Sequence, residues 1–227
     1  MTVQEMHDSF NLGLDKVNSG ALPNFLVAEV DAFLNEAQDE FVEQRAWGTN
    51  TKRQGLEETQ KRRDDLRLLV REVNLNSSGV GMKPNSVMFD LDGIEYRHAM
   101  SAECTITRLD CRGTSITERV AVTPITADRY ATSIADPFNR PSEGRVYQMD
   151  AANNNGVEVI HSPNVTVGNY HLRYIKEPDR INVTNGSDCE LADHTHREIV
   201  NMAVAHALGN IESPRIQLQM GENQMME

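Results

Sequence analysis

Aromatic residues make up only 5% of the 227 positions, with one tryptophan, and hydrophobic residues reach only 39%. Both shares are low for a compact enzyme of this length. They imply an elongated shape, or apolar surface that is covered only when other chains pack against it. Cysteine is almost missing. Cys104, Cys111 and Cys189 are an odd set with no CxxC pair, which argues against a disulfide framework and for folding in a reducing compartment. No window approaches a membrane-spanning run of apolar residues, and MTVQEMHDSF at the start has neither a basic nor an apolar stretch. Neither a membrane span nor a signal peptide is expected.

Basic charge is also short, with 22 Lys and Arg against 34 Asp and Glu, a net charge of −12. That balance speaks against a broad basic face wrapped around nucleic acid. Charged residues together are an ordinary 25%, so wholesale disorder is not expected. The signs are unevenly placed. Glu29–Glu43 holds six acids and no base, Lys52–Arg71 seven bases and four acids, and the stretch from Asp188 onward seven acids and two bases. Solvated helix faces explain any one of these runs. Alternating patches also suit identical subunits that meet head to tail.

The spacing of apolar residues predicts helices at both ends and strands between. Thr2 and Glu5 make a capping-box pattern ahead of Val3, Met6, Phe10, Leu14 and Val17. Ser19-Gly20 stops that helix, and a stronger one follows Pro23. It carries Leu26, Val30, Phe33, Leu34, Ala37, Phe41 and Val42 on one face, with the acids mostly opposite, and closes at Trp47-Gly48. A polar helix covers about Gln54 to Asp65, and Leu66–Val73 either finishes that helix or opens the first strand, its change of period favouring the strand. Seven short β-branched segments follow: Ser86–Leu91, Ile94–Ala99, Cys104–Leu109, Ser115–Val122, Arg145–Met149, Val157–His161 and Tyr170–Ile175. Asp92-Gly93 and Asn153–Gly156 read as hairpin turns, and Ser78–Gly81 as a flexible connector. Thr126–Ile134 is a short helix leading into the proline-bracketed loop Asp136–Pro141. A wide-striped helix runs from about His194 to Ile211, ahead of a polar tail.

The fold class is α+β: N-terminal helices and a C-terminal helix around an antiparallel β-sandwich or partial barrel. The regions are 1–65 helical, 66–193 β-rich, 194–213 the last helix and 214–227 the tail, as one integrated domain.

Few strings carry chemistry. Val87–Gly93 (VMFDLDG) resembles the first motif of haloacid-dehalogenase-type phosphatases, with Asp90 as nucleophile and Asp92 as general acid/base beside Mg²⁺. Ile94 stands where a threonine is usual, and the segments after Asp90 lack that family's crossover helices. An Asp-Gly turn accounts for the same residues. Cys189, His194, Thr195, His196 and His206 do not complete a tetrahedral zinc set. No GxSxG, P-loop or dinucleotide fingerprint occurs. No catalytic residue, metal or cofactor is assigned, and an enzyme is not expected.

Four stretches resemble the ring or adaptor proteins in the head-to-tail connector of crAss-like phages. They are VDAFLNEAQDEFVEQR (30–45), KRRDDLRLLV (61–70), DPFNRP (136–141), and 174–211 with YIKEP and HREIVNMAVAHALGNI. The resemblance implies a non-enzymatic virion protein, assembled in the host cytoplasm into a dodecameric ring of identical copies beneath the portal protein. The ring would extend the channel for genomic DNA without binding it specifically, and would carry an adjacent tail ring or tail proteins, with no membrane. Another minor virion or head-completion protein shares the same composition logic. The implied contacts are Arg62, Arg63, Asp64 and Asp65 between subunits, Pro137, Phe138 and Pro141 on a neighbouring ring, and the tail from Arg215 toward the portal or an adjacent subunit.

Overall fold

A computed structural model describes residues 1–15, 25–48, 56, 59–151 and 155–210. Its contacts separate two compact units: Met1–Val70 with the described part of Glu177–Glu227, and Arg71–Lys176. The class is α+β. No described helix is long and apolar enough to cross a membrane.

The first unit is helical. α1 (Val3–Asp15) starts at the expected capping box: Glu5 N–H donates to Thr2 Oγ1 at 3.3 Å and Thr2 N–H to Glu5 Oε2 at 2.9 Å. Met6, Phe10 and Leu14, each one turn apart, are buried. α2 (Val27–Trp47) ends at Gly48, whose φ of 67° is the left-handed C-cap that glycine adopts without cost. Phe10 stacks on Phe33 with ring centroids 6.1 Å apart, and Phe25 meets Phe33 edge-on at 5.2 Å. A short α3 (Gln60–Asp65) follows. The final helix, after a 3₁₀ turn at Asp193–Thr195, comes after the second unit in chain order and returns to pack on α1 and α2.

Polar side chains of α2 hold an extended segment of the same unit. Asn35 brackets Ile181, its amide donating to Ile181 O at 2.9 Å and its Oδ1 accepting from Ile181 N–H at 2.8 Å. Gln38 donates to Asp179 O at 3.0 Å and accepts from Cys189 Sγ–H at 3.2 Å. The acidic face of α2 is therefore not simply solvated: Asp31 is buried against His7 at 2.7 Å and also takes Val183 N–H.

The second unit is one curled sheet of eight strands. In chain order they are β1 (Val70–Leu75), β2 (Gly79–Val80), β3 (Ser86–Asp90), β4 (Tyr96–Leu109), β5 (Ser115–Pro124), β6 (Val146–Asp150), β7 (Gly156–Ile160) and β8 (Val165–Lys176). Across the sheet the order is β1-β8-β4-β5-β6-β7-β3-β2. Phe89, Cys104, Ile106, Val122, Val146, Val159, Tyr170 and Leu172 fill its core. β5 joins the two halves, pairing antiparallel with β4 through Ala121 and parallel with β6 from Val122. The sheet is mostly antiparallel, as expected, and this parallel pair is its exception. A parallel pair needs a crossover connection, which α4 (Ala127–Ala135) and the loop after it provide.

Other boundaries differ for local reasons. Leu66–Leu69 is turn rather than strand, because Leu66 N–H still bonds to Arg62 O and Leu69 N–H to Leu66 O, with both leucines fully buried. The expected strands Ile94–Ala99 and Cys104–Leu109 fuse into β4, whose register against β8 slips at three places. Asp92-Gly93 does not close a hairpin, since β3 and β4 are not neighbours. Ser78–Gly81 contains β2 rather than a free connector. Asn153 and Ile211 lie outside the described residues, and so does the expected start of the polar helix near Gln54.

A Cβ on Gly156 would sit 2.6 Å from the carbonyl oxygen of Phe89 on β3. Gly156→Ala is expected to lower unfolding free energy by about 1–3 kcal/mol, because backbone and not a flexible side chain must yield. Urea denaturation of the two proteins side by side measures this.

Candidate assembly surfaces

Of the four charged residues expected between subunits, two point inward. Arg62 is 3% and Asp65 1% exposed. The Arg62 guanidinium donates to Gln44 O at 3.3 Å, near the C-terminal end of α2. Asp65 lies in a buried node: Arg45 Nε donates to it at 3.0 Å, His194 Nε2 lies 2.8 Å from its other oxygen, and Arg45 Nη2 reaches Glu198 at 2.5 Å. The guanidinium also lies 4.7 Å from the ring centre of Phe41. Burial raises the Glu198 carboxyl above its usual range, and Arg45 acts against that rise. Arg63 and Asp64 face solvent on α3 and form the outward half of the quartet.

The Asp136–Pro141 loop is well fixed by its own hydrogen bonds. Asp136 accepts from Phe138 N–H at 2.9 Å and from Asn139 Nδ2 at 2.6 Å. Arg145 donates to Phe138 O at 2.8 Å, and Tyr147 O–H to Asn139 O. On this frame the Phe138 ring is 88% exposed, Pro137 is exposed and Pro141 is half-buried. A large apolar side chain displayed on an ordered loop is the form a docking anchor takes. Arg215 lies outside the described residues.

The chemistry-like strings go to structural work. Asp90 closes β3, and its Oδ1 accepts from Asp92 N–H at 3.0 Å in a turn where Gly93 has φ 81°. β3 runs antiparallel to both neighbours, so Asp90 is not at the end of a strand in a parallel α/β sheet, and the phosphatase alternative fails on topology. Cys189 is bonded to Gln38, His194 to Asp65, His196 to Leu191 O at 2.9 Å and His206 to Glu40 at 2.6 Å. Thr195 donates to Ala192 O. The cysteines are free thiols, Cys104 and Cys189 buried and Cys111 exposed.

Glu158 is one of the buried charged residues that escaped the sequence reading, with Asp31 and Arg45. Glu158 alternates with valines in Val157-Glu158-Val159, which reads as a strand with its glutamate in water. Instead β7 lies between β3 and β6 with every residue buried, and Glu158 is 2% exposed. Its Oε1 accepts from Lys83 N–H and Ser86 Oγ–H, both at 2.6 Å. Gly81 in the preceding turn was the available signal, because a Cβ there would collide with Ser86 and Glu158. A groove of about 600 Å³ opens beside this carboxylate, lined by Met82, Lys83, Ile125, Gln148, Met149 and Asp150 among others.

Two measurements test the helical unit. Arg45→Ala leaves Asp65 and Glu198 buried without their cation and is expected to cost about 3–5 kcal/mol of unfolding free energy. Arg45→Met combined with Asp65→Leu and Glu198→Leu should recover much of it, as read by chemical denaturation. The second concerns His206, whose hydrogen bond to Glu40 raises the imidazole against the effect of burial and lowers the Glu40 carboxyl. The histidine contribution is full below the ordinary imidazole value and fades as pH rises through the raised one. The glutamate contribution is full above the ordinary carboxylate value and fades as pH falls through the lowered one. The stability gap between wild type and His206→Gln should therefore be widest near about pH 5–6 and shrink toward about pH 8.

Comparison of the sequence with known proteins finds phage ring proteins. A family model described as phage tail ring protein 3/4 matches residues 1–213. Two curated proteins of Bacteroides phage crAss001 are similar along almost their whole length. "Ring protein 4/5" is 26% identical over 224 residues, covering 90% of this chain and 91% of that protein. "Ring protein 3" is 28% identical over 230 residues, covering 92% of this chain and 95% of that protein.

Proposed function

Because the chain belongs to the phage tail ring protein 3/4 family, a family of virion structural proteins, we propose that its copies close into a ring in the head-to-tail connector of a tailed phage. The observation that carries this reading is the family match across residues 1–213. Ring proteins as relatives also support a structural rather than a catalytic role. In this reading a dodecameric ring sits below the portal protein, extends the channel for genomic DNA and supports the next tail ring.

Physical features support each part. Large apolar side chains stand in water on the isolated subunit, among them Phe138 at 88%, Val80 at 90% and Met82 at 65% exposure. Neighbouring chains would cover them. A net charge of −12 keeps the channel wall from holding a polyanion, so DNA slides past without specific contacts. Arg63 and Asp64 would pair across subunits, and Pro137, Phe138 and Pro141 would anchor a neighbouring ring. The tail from Arg215 would reach the portal or an adjacent subunit.

Cryo-electron microscopy of the full chain co-assembled with its portal tests the reading. A ring at the portal's narrow end is expected; a virion map lacking this protein at the tail vertex overturns it. Phe138→Ser should leave thermal unfolding within a few degrees of wild type while weakening ring-to-ring docking about tenfold or more, measured by co-sedimentation. Removing residues 215–227 should weaken docking to the portal. Unchanged docking would remove the tail from the interface.

A further inference from the structure

The two ends of β5 carry opposite halves of a contact. At its start is the β4–β5 turn, an ordered tip in which Asp110 N–H bonds to Thr114 O and Gly113 N–H to Asp110 O, both at 2.8 Å, with Gly113 at φ 77°. The tip shows Leu109 at 66% exposure, the exposed thiol of Cys111 and the exposed guanidinium of Arg112. At the other end, Pro124 runs into the groove beside Glu158. Ten residues of strand separate tip from groove, about 30 Å of extended chain.

The groove is built for a cation with an apolar stem. Its floor holds a carboxylate 98% withdrawn from water by residue exposure, and both hydrogen bonds of Glu158 among the described residues end on Oε1. The second oxygen remains to accept from a donor that enters, and Asp150 adds a second carboxylate on the wall. Lys83 also lines the groove, and its Nζ lies 5.1 Å from the centre of the Tyr130 ring, which holds that ammonium in place. Met82 and Met149 give the apolar part of the lining, adaptable to an aliphatic side chain.

We propose that the β4–β5 tip of one copy seats in the Glu158 groove of the next copy, Arg112 facing Glu158 and Asp150 while Leu109 lies against Met82 and Met149. The occupant is a second copy of this chain because the tip carries a cation close to an aliphatic side chain, complementary to the two carboxylates and two methionines of the groove, on a surface every copy carries. Tip and groove lie at opposite ends of one strand, so a copy cannot satisfy its own groove, and the contact between two copies leaves one tip and one groove open. Such a heterologous contact propagates in one direction and closes when its rotation per step completes a circle. This inference rests on the ring reading and names the surfaces that would make the ring.

Thiol crosslinking tests it with the full chain. Met82→Cys places a thiol on the groove rim, and Cys111 already provides one on the tip. Cys104 and Cys189 are buried, with burial pushing their thiols to about 12 and about 11, so a thiol-reactive bridge reports on the exposed pair. Covalent dimers and longer ladders are expected for Met82→Cys and not for Met82→Cys combined with Cys111→Ser. Arg112→Glu should raise the concentration needed for assembly, read by light scattering, about tenfold. Assemblies that form without any 82–111 crosslink, and that ignore Arg112→Glu, overturn this interface and leave the ring reading standing. A wild-type chain that stays monomeric at every concentration, alone and with the portal, overturns both.

Discussion

An arginine taken to 1% exposure must be met by carboxylates, and those that meet Arg45 come from Asp65 and Glu198, far apart in the chain. A buried unpaired charge costs several kcal/mol, so the buried position of Arg45 requires the acids of α3 and the last helix beside it. The node does not add much net stability, since withdrawing two carboxylates from water offsets most of the attraction. It fixes which faces meet. His194 extends it to the turn before the last helix, and the apolar ridges of α1, α2 and that helix then close around Phe10, Leu34, Phe41 and Ala203.

The same requirement organises the sheet unit in a different way. Glu158 is held by one backbone N–H and one hydroxyl from the Gly81–Ser86 turn, which ties that turn to the middle of the sheet. Lys83 then reaches Tyr130 on α4, the helix of the crossover that makes β5 and β6 parallel. One buried carboxylate thus sets both the turn and the wall of the groove. Where the helical unit uses charge to align its own helices, the sheet unit holds its buried carboxylate beside an open groove.

On the isolated chain some apolar residues are buried in cores and others stand in water. Phe10, Phe41, Phe89 and Tyr170 are buried among aliphatic neighbours, whereas Phe138, Val80, Met82 and Leu109 are exposed. Holding such side chains on ordered turns lowers the entropy lost when a neighbour covers them. Acidic charge in excess opposes unspecific association of separate copies, so that contact needs complementary patches.

What the sequence by itself determined was local. The helix start at Thr2, the stop at Gly48, the strand segments and the short helix before the Pro-Phe loop follow from spacing, caps and turn residues within a few positions of one another, and the strings at 30–45, 61–70, 136–141 and 174–211 together suggested the family. What only the tertiary structure decided was non-local. Nothing near Arg62, Asp65 or Glu158 in the chain says that they are buried, because burial depends on Gln44, Arg45 and Ser86 arriving from elsewhere. The parallel β5–β6 pair and the separation of β3 from β4 are likewise choices of partner, and a strand's alternation fixes its two faces without naming the strand beside it.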